Sequence, residues 1–209
     1  MDEGYIKFQV DWKQISRVKS NDITDLNYWR NEMYQQKWIG AYDNGIGFGN
    51  ISERWKTTNN FIISGSATGN FSSLTADHYA LVTKVDIEKN SLYCEGATIA
   101  SSESMSHAVI FQALPWVNAV IHIHDLENWE KLLYNLPTTP KEIPYGTCEM
   151  AYSIQDLIKN TSVAEQKIFV MAGHIEGIFA FGKDLKEASA VIFAYLEKNI
   201  SKEKLNETL

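Results

Sequence analysis

Two histidines separated by one residue are the part of this sequence best suited to chemistry. His122 and His124 lie in VNAVIHIH, whose β-branched residues are typical of a strand. Side chains alternate between the two faces of a strand, so both imidazoles point the same way while Ile121 and Ile123 face the core. Two ring nitrogens at this spacing can converge on one metal ion at about 2.0–2.1 Å. The alternative is a strand with two half-exposed histidines, and the motif alone does not decide.

A helix start that contains an acidic residue precedes this strand. Ser101, Ser102 and Glu103 are expected in the first turn of a helix that Pro115 ends. Free N–H groups and the positive end of the helix dipole bind anions, and two serine hydroxyls there would complete a phosphate site. The alternative is an ordinary helix cap. His107, one turn later, either orients Glu103 or is a buried histidine with partners of its own.

Two loops offer further contacts to a ligand. Asn50 follows Gly45, Gly47 and Gly49, and such a run of glycines allows the backbone to approach a ligand closely, although alone it indicates only a turn. His174 lies at the tip of an expected hairpin, where a third metal ligand could approach. These loops would add an amide and a third imidazole to the histidine strand.

Strands joined as hairpins alternate with long helices along the chain. This pattern predicts a mixed sheet covered by helices on both faces. The 209 residues fit a single domain over 1–209. The expected helices are 22–39, 101–114, 150–160 and 184–199, and the expected strands are 61–64, 81–87, 91–96, 117–124, 167–173 and 177–182.

The bulk composition excludes several classes of partner. The net charge is -7, and no cluster of Lys and Arg stands out, so neither nucleic acid nor an anionic membrane surface is an expected partner. Cys94 and Cys148 are the only cysteines, which is too few for a disulfide framework and favours a reducing compartment. The chain shows neither a signal-peptide pattern nor an apolar stretch of membrane-spanning length. We therefore expect a cytoplasmic protein.

Five motifs in a fixed order resemble the class II aldolase/adducin family. They are GNIS (49–52), SGSATG (64–69), SSE (101–103), HIHD (122–125) and GHIEGIFAFGKDLKEA (173–188). The resemblance covers roughly residues 25–195. It implies a three-layer α/β/α sandwich with a mixed, largely antiparallel central sheet, and a homo-oligomer, most simply a tetramer.

The resemblance also implies roles for individual residues. Zn²⁺ or another divalent ion would be held by His122, His124 and His174. Glu103 would be the acid/base residue beside this ion. The residues implied to bind substrate phosphate are Asn50, Thr68, Gly69, Ser101 and Ser102. The family's Thr-Gly pair also resembles Ser64-Gly65, but Thr68-Gly69 keeps the better spacing to Leu74-Thr75.

The sequence departs from the family in two places. The family's third histidine is usually followed at once by glycine, whereas here two residues separate His174 from Gly177. Either the hairpin bulges and His174 still reaches the metal, or Glu176 replaces it; we favour His174 because imidazole suits Zn²⁺. The stretch after the histidine strand is also short, so the family's catalytic tyrosine has no assigned position. Tyr145 and Tyr134 are candidates, although either can be a packing residue.

The function implied by the resemblance is that of a metal-dependent aldolase-type lyase in carbohydrate metabolism. Such an enzyme would cleave a small ketose, which we expect to be phosphorylated, through an enediolate. One alternative is a dehydratase or epimerase of a ketopentose phosphate, although Glu at position 103 resembles the aldolases and the dehydratase more than the epimerase. Another is a non-catalytic, adducin-like binding domain, against which the presence of all the implied site residues argues.

Overall fold

The computed structural model describes residues 4–56 and 58–206, with side chains described up to residue 196. Within these residues the strands are β1 (Gln9–Gln14), β2 (Gly40–Ala41), β3 (Gly47–Phe48), β4 (Asn50–Arg54), β5 (Phe61–Ser64), β6 (Tyr79–Asp86), β7 (Ser91–Gly96), β8 (Ala119–His124), β9 (Thr138–Thr139), β10 (Ile168–Met171) and β11 (Gly177–Gly182). The helices are α1 (Thr24–Gln35), α2 (Ser104–Ala113), α3 (Leu126–Leu132), α4 (Cys148–Asn160), α5 (Val163–Gln166) and α6 (Leu185–Asn206).

A nine-stranded sheet in the order β1-β7-β6-β5-β4-β8-β11-β10-β9 is the centre of the described fold. Its two outermost pairs, β1 with β7 and β9 with β10, are parallel. The pairs between them are antiparallel. The predicted mixed, largely antiparallel sheet is therefore confirmed. β2 and β3 form a separate two-stranded hairpin.

Two apolar cores lie on opposite faces of this sheet. One packs residues of α2 and α4 against Phe61, Val120 and Phe179, and the other packs residues of α1 and α6 against Ile51 and Ile121. Every residue of β8 and β11 is buried, as expected for strands covered on both faces. Each large aliphatic side chain buried in this way contributes roughly 1.5–3 kcal/mol. The three-layer α/β/α sandwich is confirmed.

The pairing of the central strands brings candidate residues from three segments together. β8 lies between β4 and β11, with Asn50 opposite His122 and Gly177 opposite His124. Opposite residues of paired strands project from the same face. The registers therefore place the amide of Asn50 and the turn before Gly177 beside the two imidazoles.

Several elements differ from the sequence-based expectations. The helix expected from residue 101 begins only at Ser104, so the preceding Ser-Ser-Glu forms a turn that leads into it. The segment after Gly49, interpreted as a turn, is β4, because it pairs with both β5 and β8. The last helix continues to Asn206, beyond the expected end near Asn199.

Other elements were not expected at all. β1 contains the alternating residues Val10 and Trp12 next to buried Phe8, which is a strand signal. α3 begins after Asp125, whose carboxylate accepts a hydrogen bond from the backbone N–H of Asn128 at 3.0 Å. The β2–β3 hairpin, β9 and α5 were not expected either. Among the described helices, none is long and apolar enough to cross a membrane.

Candidate functional site

Three buried imidazoles form a cluster at the end of β8. One ring nitrogen from each of His122, His124 and His174 lies within 4.8 Å of the other two. The Nε2 atoms of His122 and His124 are 3.1 Å apart. All three side chains are almost inaccessible to solvent. The cluster has the composition of a three-histidine metal site.

The surroundings of His122 fix which of its ring nitrogens carries the proton. Nδ1 lies 3.3 Å from the carbonyl oxygen of Ile178, which can only accept, so Nδ1 is the protonated nitrogen. Burial, followed by the neighbouring imidazoles, holds the pKa of His122 well below its usual range, so the ring is neutral. Nε2 of His122 therefore offers a lone pair toward His124. A cation is the species that suits this arrangement.

A bulged turn brings His174 into the cluster. The N–H of Gly177 donates to the carbonyl of His174 at 2.9 Å, and Glu176 between them has a φ of 71°. A side chain at position 177 would place its Cβ 2.9 Å from the backbone carbonyl oxygen of His174 and 3.1 Å from Cε1 of His122, so the position favours glycine. His174 and Glu176 were the two candidates for the third metal ligand, and His174 is the one that lies in the cluster with His122 and His124. Oε2 of Glu176 instead accepts a hydrogen bond from Tyr42 at 2.7 Å and lies 3.5 Å from Nδ1 of His124, the ring nitrogen that does not face His122.

Glu103 lies beside His174 and is almost completely buried. Its Oε2 accepts a hydrogen bond from the hydroxyl of Ser106 at 2.8 Å. Its Oε1 is 3.1 Å from Nδ1 of His174, yet it accepts no hydrogen bond of good geometry among the described residues. A buried carboxylate oxygen in this state has capacity for a ligand or a proton, which fits a site that binds a cation and a substrate.

His107 is a buried histidine with partners of its own and does not contact Glu103 through its ring nitrogens. Its Nδ1 is 2.6 Å from the hydroxyl of Ser52, and its Nε2 is 2.6 Å from Oδ1 of Asn50. Burial lowers the pKa of His107 to about 3, so the ring is neutral. Because the amide oxygen of Asn50 accepts from His107, the NH₂ group of Asn50 remains for a ligand.

The residues expected to bind phosphate surround a small cavity next to Asn50. Its lining comprises Gly4, Gly47, Phe48, Gly49, Asn50, Gly65, Ser66, Ala67, Thr68, Gly69, Ser101 and Ser102. The cavity of about 20 Å³ holds roughly one water molecule. Its lining is neutral and rich in backbone groups and hydroxyls, which suits an anion.

A buried cation lies behind the loop of residues 64–69, called the glycine loop below. Arg30 is 1% exposed, and its Nη2 donates to the carbonyl oxygens of Thr68 and Gly69 at 3.3 Å each. Burial lowers the pKa of this guanidinium, but the side chain stays charged near neutral pH. The guanidinium therefore adds positive potential to a cavity whose described lining carries no charged side chain.

The two tyrosine candidates lie in different environments. Tyr145 is buried, its ring stacks on His174 with centroids 4.5 Å apart, and its hydroxyl accepts from the N–H of Tyr5. Tyr134 is 68% exposed. A third tyrosine, Tyr42, was not expected from the sequence. Its hydroxyl lies 2.9 Å from Nδ1 of His124 and donates to Glu176 at 2.7 Å.

Comparisons with known proteins address the fold and the family. The chain is similar in structure to an L-fuculose 1-phosphate aldolase (19% identity, 91% of this chain and 89% of that one, TM-score 0.66). It is also similar to the L-fuculose-1-phosphate aldolase of Thermus thermophilus (19%, 87% and 93%, 0.60) and to a sugar-phosphate aldolase of Thermotoga maritima (16%, 88% and 94%, 0.60). At such identities these likenesses establish the fold alone.

Sequence comparison gives the family. A search of curated proteins returns no match. The family model of the class II aldolase and adducin N-terminal domain matches residues 28–199, which includes β4, the glycine loop, α2, β8 and the turn before β11. The chain belongs to the class II aldolase and adducin N-terminal domain family.

Proposed function

We propose that this protein is a divalent-metal-dependent lyase that cleaves a small phosphorylated ketose by aldol cleavage. The observation that carries the proposal is the cluster of His122, His124 and His174, with ring nitrogens within 4.8 Å of one another and Glu103 beside them. Zn²⁺ suits a three-imidazole set that leaves a position for substrate. Membership of a family that includes sugar-phosphate aldolases supports the same conclusion.

The residues of the site divide the chemistry between them. A divalent ion in this site would supply a Lewis acid for the ketose carbonyl and positive charge beside the enediolate that C–C cleavage leaves. His122, His124 and His174 would hold this ion. The hydroxyl that becomes the second carbonyl loses its proton to Glu103 as the C–C bond breaks, and the electron pair of that bond stays with the ketose fragment. Glu103 then returns the proton to the enediolate carbon. Burial of Glu103 keeps bulk water away from that proton transfer.

The substrate's phosphate would bind in the cavity beside Asn50. The NH₂ group of Asn50, the hydroxyls of Ser101 and Ser102 and the loop around Thr68 and Gly69 are its donors. Because the cavity holds about one water molecule, the phosphate enters only after a wall residue such as Gly4 moves. We therefore expect substrate binding to include a local opening of this wall.

Two alternatives use the same family membership. A dehydratase or epimerase would use the same metal and Glu103, and product analysis separates the three reactions. An adducin-like binding domain would need neither metal nor acid, so the clustered imidazoles and the buried Glu103 count against it. Glu103 favours the aldolase and dehydratase reactions over epimerisation, because it resembles the residue that the family's aldolases and dehydratase have at this position. The structural likeness to sugar-phosphate aldolases is the reason to place the aldolase reaction first.

We also propose that the protein is cytoplasmic and assembles as a homotetramer. The sequence pattern supports a cytoplasmic protein, and the family resemblance supports a homotetramer. Closed symmetric assemblies are the common case for such enzymes. Light scattering at micromolar concentration is expected to give a mass close to four chains, and a monomer would contradict the assembly.

Product analysis on a panel of ketose 1-phosphates tests the reaction. The Zn²⁺-loaded protein is incubated with L-fuculose 1-phosphate, L-rhamnulose 1-phosphate and pentulose phosphates, and the products are identified by mass spectrometry. Aldol cleavage yields two carbonyl fragments, dehydration one product lighter by a water, and epimerisation an isomer of unchanged mass. Two fragments, formed more slowly by about 100-fold or more with Glu103→Gln, support the proposal. Loss of water or epimerisation alone would contradict it.

A further inference from the structure

The β2–β3 hairpin places a tyrosine against the candidate metal cluster. Its turn is closed by hydrogen bonds from the N–H of Tyr42 to Ile46 and from the N–H of Gly45 to Tyr42. Phe48 on the second strand stacks on His124, with ring centroids 5.4 Å apart. The hydroxyl of Tyr42 then lies 2.9 Å from Nδ1 of His124. The hairpin therefore contacts the ring edge opposite Nε2, the nitrogen that faces His122.

The turn before β11 places a carboxylate on the same tyrosine. Glu176 is one of the two extra residues between His174 and Gly177, and its Oε2 accepts the hydroxyl proton of Tyr42 at 2.7 Å. The backbone carbonyl of Glu176 accepts from the N–H of Asp125 at 3.0 Å, which ties this turn to the end of β8. Both partners of the tyrosine are thus held by the backbone next to the cluster.

The hydrogen-bonding capacities of these three groups fix the position of the protons. A carboxylate accepts only, so the single hydroxyl proton of Tyr42 is directed to Glu176. The Tyr42 oxygen then accepts, and Oε2 of Glu176, 3.5 Å from Nδ1 of His124, can also only accept, so His124 must carry its proton on Nδ1. Nε2 of His124 is left with its lone pair, 3.1 Å from Nε2 of His122. A carboxylate placed behind a metal-binding histidine orients the ring and raises its basicity.

We infer that Glu176 and Tyr42 form a hydrogen-bond relay that keeps the proton of His124 on Nδ1 and so presents Nε2 of His124 to a metal ion. Both are positioning residues, because they act through His124. The inference rests on the metal site proposed above. It also gives a role to Glu176, one of the two extra residues in the turn after His174, because Glu176 would orient a metal ligand without being a ligand itself.

Metal affinity tests the relay directly. Metal-free wild type, Tyr42→Phe and Glu176→Gln are titrated with Zn²⁺ against a competing chelator. Loss of such a supporting group is expected to weaken Zn²⁺ binding about 10- to 100-fold. The double variant should be hardly weaker than Tyr42→Phe, because the two residues act as one unit. The matched controls Tyr152→Phe and Glu165→Gln, which change exposed residues of α4 and α5, should bind like wild type. Equal affinity of the wild type and both relay variants would overturn the relay.

The tautomer of His124 supplies a readout that depends on neither metal nor activity. Ring nitrogen shifts of ¹⁵N-histidine-labelled, metal-free wild type are expected to show Nδ1–H at His124, and Tyr42→Phe should shift its population toward Nε2–H. An Nε2–H ring in the wild type would contradict the relay. The metal site and the relay can be contradicted independently. A wild type that binds no Zn²⁺ but has the Nδ1–H tautomer at His124 would contradict only the metal site.

Discussion

The two faces of the central strands β4 and β8 carry opposite kinds of side chain. One face presents Asn50, Ser52, His122 and His124, and the other presents Ile51, Glu53, Ile121 and Ile123. On the first face His107 satisfies Asn50 and Ser52, and the turns before β11 and α2 bring His174 and Glu103 to the imidazoles. On the second face Glu53 is a half-buried acidic group that projects on the same side of the sheet as Ile51.

The difference separates buried polar side chains that line the candidate site from an acidic side chain whose burial only lowers the stability of the fold. On the site face the buried polar groups named above have either a partner or a position beside the histidine cluster. Burial, with Asp25 and Asp184 nearby, raises the pKa of Glu53 to about 7. Its surroundings thus disfavour the charged form. Perturbed titration alone would rank Glu53 beside His107 and His122, whereas the cluster of imidazoles with an adjacent carboxylate lies on the other face.

Glu103→Gln is expected to produce the largest effect. It keeps the shape of the side chain and removes the proton transfer, so kcat should fall about 100-fold or more. Zn²⁺ content should stay near one ion per chain, because Glu103 is not one of the proposed ligands. Steady-state kinetics beside elemental analysis measures both quantities. Full turnover by the variant on a substrate that the wild type cleaves would contradict the role of Glu103.

The pH dependence of stability is expected to reflect His107. Its pKa is about 3 in the folded protein and 6.5 in the unfolded chain, so the unfolded state binds the extra proton between these values. Stability is therefore complete above pH 6.5 and falls as pH drops toward 3, by up to about 1.4 kcal/mol per unit for this group.

Urea unfolding between about pH 4 and 7 compares the wild type with His107→Gln and His107→Phe, across the interval in which the unfolded chain takes up the proton. Both variants lack the titrating group, so the slope of unfolding free energy against pH should become shallower in each. Using both guards against a substitution that does not fold. A slope identical to that of the wild type would mean that His107 is already protonated or exposed in the folded state.

The smallest effect is expected on the opposite face, at Glu53. Its pKa is raised in the folded state, so stability is complete below pH 4.5 and is lost as pH rises through 7. Glu53→Gln should stabilise the protein at about pH 8 by on the order of 1 kcal/mol, after discounting for solvent screening, and should change little at about pH 4. Thermal unfolding at both pH values, with the exposed Glu165→Gln as control, measures this. Destabilisation at the higher pH would contradict the assignment.

The elements with the strongest local sequence patterns were predicted correctly. The β-branched run before His124 predicted β8, and the alternation of faces correctly separated its histidines from Ile121 and Ile123. β4 was missed, because Asn50 follows glycines and its strand character comes from pairing with β8. The start of α2 was placed too early, because a Ser-Ser-Glu turn and a helix cap share the same residue types.

The candidate site was predictable only in part. The order of motifs identified the histidines and Glu103, whose roles stay proposals, and left His174 and Glu176 as alternatives. Only the path of the backbone shows that a bulged turn brings His174 inward and Glu176 to Tyr42. Tyr42 carried no signal, because a tyrosine in a glycine-rich hairpin is ordinary until the hairpin is seen to lie on His124.

Metal titration tests the central claim most directly. Metal-free wild type, His122→Ala, His124→Ala and His107→Gln are titrated with Zn²⁺ by calorimetry, and bound metal is counted by elemental analysis after dialysis, with circular dichroism to confirm folding. The wild type and His107→Gln are expected to bind close to one ion per chain, and the two alanine variants none. A folded wild type that binds no divalent ion, or alanine variants that bind as well as the wild type, would contradict the metal site and the lyase built on it.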